Sequence, residues 1–173
     1  MENQPKTGKY ALNFGLLLGA IGIVFGLILY SMDLQYEQGW TLGIVNFLIM
    51  AAVIVFGILQ FKKANAGFLT LVQALKVGLG IAVIAAVVSI IYQMIFINVI
   101  EPDFLANVME IRKNEMIAKN PGMTQEQVDG AVEMMERFSG PTAIIIFSLV
   151  GSLFFGFIIS LIGGLIMKKT PQQ

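Results

Sequence analysis

With neither cysteine nor histidine among its 173 residues, the chain has few side chains able to do chemistry. Disulfides, thiolate nucleophiles, imidazole bases and the usual zinc, haem and iron–sulfur ligands are removed together. A short set remains. Lys76, with Gln73 one helical turn before it, offers a cation beside an amide, types suited to a phosphate or carboxylate on a lipid or partner. Glu126, Asp129, Glu133 and Glu136 form an acidic row of the ligand type that hard divalent cations take. Met109, Met116, Met123, Met134 and Met135 carry thioethers, which favour Cu(I). Ser89 and Lys76 are the types that pair in serine–lysine catalysis.

Spacing reduces this set further. Steps of three and four between the acids are what the solvated face of a helix requires, whereas hard-cation sites converge from several backbone segments, so no metal is expected. The methionines form no tight repeat and lack the usual co-ligands; thioethers also fill irregular apolar gaps and suit adaptable binding surfaces. Ser89 lies thirteen positions from Lys76, about 20 Å along a helix and out of reach. No catalytic residue, cofactor or enzyme activity is therefore expected. For Lys76 two readings stay open. It either snorkels to the membrane interface or holds a phosphate or carboxylate.

The elements that must position these groups follow from composition. Hydrophobic residues make up 57% of the chain and charged residues 13%, and the mean hydropathy is +0.80. A soluble domain of this size lacks the interior to hide so much apolar surface. Eleven Lys and Arg balance eleven Asp and Glu, so no basic field invites nucleic acid. Crossing about 30 Å of hydrocarbon takes roughly 20 helical residues. Four apolar windows are that long, at about 11–32, 42–61, 71–97 and 142–167. The first has a signal-like Lys6 and Lys9 flank, but its apolar run is too long and Tyr30-Ser31-Met32-Asp33 is a poor cleavage site, so it reads as a retained helix. The expected fold is all-α, an integral membrane four-helix bundle.

Lysines set the orientation. Lys6, Lys9, Lys62, Lys63, Lys76, Lys168 and Lys169 all fall on one side of an even number of spans, which predicts cytoplasmic termini. Tyr30, Tyr36, Trp40 and Tyr92 lie toward the opposite boundary, as an interfacial aromatic belt does. The external side receives the short turn from Asp33 to Thr41 and the long segment 98–140, where eight acids face four bases. That segment reads as an amphipathic helical hairpin between spans 3 and 4. Phe104, Leu105, Val108, Met109 and Met116 recur near helical spacing until Asn120-Pro121-Gly122. Thr124 and Gln127 then form a capping-box pattern ahead of Val128, Ala131, Val132, Met135 and Phe138. Met109, Met116, Val128, Val132, Met135 and Phe138 make up a candidate partner-docking face.

Inside the bilayer, small residues run in rows: Gly15, Gly19, Gly22 and Gly26 in the first span; Gly78, Ala82, Ala85 and Ser89 in the third; Ser152, Gly156, Ser160 and Gly164 in the fourth. Such rows let backbones approach closely, within the bundle or between chains. Asn46, Ser89 and Gln93 are neutral, and no Asp or Glu lies within a span, which argues against proton-coupled antiport.

Gly67-Phe68-Leu69, Gln73-Ala74-Leu75-Lys76-Val77-Gly78, Met123-Thr124-Gln125-Glu126-Gln127, Met134-Met135-Glu136 and Gly151-Ser152-Leu153-Phe154-Phe155-Gly156 match, in order and spacing, a known pattern. Over nearly its whole length the chain resembles domain-of-unknown-function family 4199, small four-span membrane proteins common in the Bacteroidetes. The resemblance implies the bacterial inner membrane. It implies no activity and no catalytic residue. It also implies a gene neighbour resembling a membrane-associated glycosyltransferase that uses polyprenyl-phosphate sugars. The expected function is a non-catalytic membrane subunit or accessory protein of the cell envelope, partnered by the lipid bilayer and by another envelope protein or a second copy of itself. The alternative is a carrier or flippase-like helper for a lipid-linked substrate, with Lys76 at its phosphate.

Overall fold

The computed structural model describes residues 5–37 and 39–170. Residues 1–4 and 171–173, and Gln38 in the expected outer turn, lie outside the described residues. Helix α1 covers Thr7–Ser31, α2 Trp40–Ala64, α3 Leu71–Ile95, α4 Phe104–Lys119, α5 Gln125–Ser139 and α6 Pro141–Met167. The protein is a multi-pass membrane protein: α1, α2, α3 with its extension to Ile100, and α6 are each long and apolar enough to cross a bilayer. Two helices overrun their apolar windows. Helix α1 begins at Thr7 and α2 ends at Ala64, because a helix that has left the hydrocarbon keeps satisfying its own backbone groups.

Both tight connections between spans close with left-handed residues. Asp33 (φ 56°) and Ala66 (φ 52°) each stand just past a helix end, where glycine is usual. After α1, the Leu34 amide donates to the Leu29 carbonyl at 2.8 Å and the Asp33 amide to that of Tyr30 at 3.2 Å. After α2, the Gly67 amide donates to the Lys62 carbonyl at 2.9 Å. These are Schellman-type closures, which satisfy carbonyls that a helix end would otherwise leave bare. Ahead of α3, the Gln73 side-chain oxygen accepts from the Thr70 amide at 2.9 Å and the Gln73 amide donates to Thr70 Oγ1 at 3.2 Å, a complete capping box.

The chain divides into two compact units. One holds the described residues up to Ser89 together with those from Leu149 onward, and the other is Ile90–Ser148. In the first, α3 is central: 39% of its most apolar stretch is buried, against 17–22% in the other spans. Its Ala74, Val77, Ile81 and Ala85 pack with Leu18 of α1, Ile54, Ile58 and Phe61 of α2, and Ile159 of α6. Gly15, Gly19, Gly78, Gly156 and Gly164 of the small-residue rows lie at these crossings. A side chain begun at Gly15 would meet Ile84, and one at Gly19 would meet Val88, each at 2.6 Å. One begun at Gly156 would meet Ala82 at 2.5 Å, and one at Gly164 would meet Ala74 at 2.8 Å. Lipid is as apolar as leucine, so close van der Waals contact holds such helices together.

At one end of the first unit, Leu69 and Lys169 exchange backbone hydrogen bonds of 2.8 and 2.9 Å, joining the α2–α3 connection to the segment after α6. Lys62 Nζ donates to the Met167 carbonyl at 2.8 Å, placing a cation on the negative end of α6.

In the second unit α3 ends in a π-helical turn, Phe96–Ile100. There the Glu101 backbone amide donates to the Phe96 carbonyl at 2.8 Å, and the Asn98 side-chain Nδ2 donates to the Met94 carbonyl at 2.7 Å. Phe96 stacks edge-on against Phe104 with ring centres 5.3 Å apart. Helices α4 and α5 pack against each other, with Val108 and Val128 buried. Thr124 and Gln127 form the capping box of α5.

Candidate functional site

Lys76 lies on the face of α3 that points away from the core. Val72, Val83 and Val87, at helical spacing from it, are likewise exposed. Beside it on the inward side, Ala74, Val77 and Gly78 are buried. Among the described residues Lys76 has no hydrogen-bond or ion-pair partner. Gln73 is half-buried, and its side-chain oxygen is occupied by the Thr70 amide. The cation is thus free to reach an interface, while the neighbouring amide is held in the helix cap.

The candidate docking face of the hairpin divides in two. Val128 is buried, Met109, Met116, Val132 and Met135 are half-buried, and Phe138 is 59% exposed. Helices α4 and α5 pack against each other, which covers Val128 and part of each of the four half-buried side chains. Two bulky apolar groups on α5 remain open, Phe138 and Met134. Phe138 lies 6.3 Å, ring centre to ring centre, from Phe147. The acidic row faces solvent, and Arg137 pairs with Glu133 at 2.7 Å in an exposed contact of small energetic weight. No group of three or more His, Cys, Asp or Glu side chains is gathered as a metal site among the described residues.

Of the glycines in the candidate packing set, Gly15, Gly19, Gly78 and Gly156 are buried against neighbouring helices. Gly22 and Gly26 are half-buried, and the nearest group to a side chain begun at Gly22 is Ser89 Oγ, at an ordinary 3.9 Å.

One site was not foreseen from the sequence. Trp40, Gly43, Ile44, Asn46, Phe47 and Met50 of α2, with Gly39 just ahead of that helix and Phe155 of α6, line a groove of about 560 Å³. The inner half of the same helical stripe carries Ile54, Ile58 and Phe61, all buried. Its outer half carries two glycines and an amide instead, so the space stays open. A side chain begun at Gly43 would meet nothing within 4 Å. Asn46 is exposed, without a hydrogen-bond partner among the described residues. The spacing of Gly39, Gly43 and Asn46 was the available signal.

No curated protein and no solved structure matches the chain. A family described as protein of unknown function (DUF4199) matches over residues 13–169, from within α1 to past the end of α6, and the chain belongs to that family.

Proposed function

We propose that the protein is a non-catalytic accessory subunit of the bacterial inner membrane, with cytoplasmic termini, whose external hairpin docks another envelope membrane protein. A membrane-associated glycosyltransferase is one such candidate. The observation that carries this reading is the pair Met134 and Phe138, 63% and 59% exposed one turn apart on α5, more open than the exposed Ile111 (37%) and Ile117 (41%) of α4. An adaptable thioether next to an aromatic ring is a common composition for the centre of a protein interface. The lysines at the helix ends support the orientation.

The test is complementation of a deletion strain at matched protein levels. Met134→Asp combined with Phe138→Asp places charge on the docking surface without changing a residue of any span, and should abolish function. Lys76→Gln should leave function intact. A carrier of lipid-linked substrate predicts the reverse, with Lys76→Gln inactive and Lys76→Arg partly active. That pattern would overturn the subunit reading.

A further inference from the structure

The α2 groove holds a polar group in the wrong solvent. Asn46 lies six residues beyond Trp40, about 9 Å deeper along the helix. With the tryptophan at the interface, the amide sits in hydrocarbon. A carboxamide carries two donors and an acceptor, and leaving them unpaired there is costly. The occupant of the groove therefore has to bring a donor and an acceptor to that depth. A lipid chain brings neither, and a lipid ester brings only an acceptor, near the level of Trp40. A second copy of the chain, inserted in the same orientation, brings an identical amide at the same depth. Two such amides related by a two-fold axis satisfy each other, N–H to C=O in both directions.

Shape agrees with this. Trp40 is 91% exposed and stands next to a groove of about 560 Å³, so each copy carries a projecting ring beside a recess, the self-complementary arrangement that an isologous interface needs. Gly43 lets the two backbones approach, and no neighbour within its own chain uses the space it leaves. We propose that two copies of this chain pair through the outer half of α2, with Asn46 hydrogen-bonded to Asn46 of the other copy. The pairing does not depend on what the hairpin docks.

The absence of cysteine allows a direct test on the full chain in native membranes. Under mild oxidation, Gly43→Cys should form a disulfide-linked dimer, since a close helix crossing brings α-carbons within the roughly 4.4–6.8 Å that a disulfide spans. Leu48→Cys, exposed on the other side of α2, should stay monomeric. Adding Asn46→Leu to Gly43→Cys should lower the crosslinked fraction about three- to tenfold. A β-carbon at position 43 meets nothing within 4 Å in its own chain and the groove beyond it is open, so Gly43→Leu should keep the thermal stability of the parent while running as a monomer in mild detergent. Equal crosslinking at positions 43 and 48, or crosslinking undiminished by Asn46→Leu, would overturn the proposal. So would a parent protein that is monomeric in native mass spectrometry, whether bare or carrying a lipid.

Discussion

Gly78 of α3 lies directly beneath Ser160 of α6: a side chain begun at Gly78 would collide with the serine hydroxyl and come within 2.7 Å of its β-carbon. Ser160 is fully buried and donates its hydroxyl to the Gly156 carbonyl one turn earlier. The two helices therefore meet backbone to side chain. Gly78→Ala should destabilise the bundle by about 1–3 kcal/mol, the usual range for overpacking. Ser160→Gly in the same chain vacates the space. Thermal unfolding in detergent of the two single variants and the double should show strong coupling, with the double melting above Gly78→Ala alone.

Gly19 and Gly22 share a row but not a neighbour. Gly19→Ala would push against the branched carbons of Val88, which lie 2.6–2.7 Å away and cannot swing aside. Gly22→Ala meets only Ser89 Oγ, at 3.9 Å. Melting temperature should fall for the first and stay within experimental scatter for the second.

Lys62→Met should weaken the end of the bundle where Lys62 donates to the Met167 carbonyl. A charge-assisted bond to a helix C-terminus contributes on the order of 1 kcal/mol when partly buried. Proteolysis near residues 165–170 should accelerate in this variant, while Lys63→Met, an exposed neighbour, should leave it unchanged.

Topology is open to single-cysteine labelling. A cysteine at Thr124 should react with a membrane-impermeant thiol reagent in intact spheroplasts. One at Thr7 should react only after permeabilisation. The opposite pattern would invert the orientation that the lysines predict.

Thr124→Ala removes the hydroxyl that accepts from the Gln127 amide. Such caps are worth about 0.5–2 kcal/mol, so amide exchange in the first turn of α5 should quicken while α1 keeps its protection.

Local chemistry made part of this protein legible in its residues alone. Four uncharged stretches demand four membrane helices, because only a helix satisfies its own backbone in hydrocarbon. Thr70 with Gln73, and Thr124 with Gln127, announce helix starts through contacts three residues apart. The placement of Lys76 within one or two turns of an end follows in the same way. Spacing also assigns residues to a helix face, but not what that face meets. In water a polar face and an apolar face have different destinations; in a bilayer lipid and protein interior are equally apolar, so Gly19 and Gly22 read alike although only one is packed tightly. The left-handed Asp33 and Ala66 took positions where composition suggests glycine, because Schellman closures held them there. That Lys76 faces outward, that Phe138 stays open while Met135 is half-covered, and that Asn46 stands unpaired in a groove were decided by which helices became neighbours. Those neighbours come from distant parts of the chain, and only the packed structure brings them together.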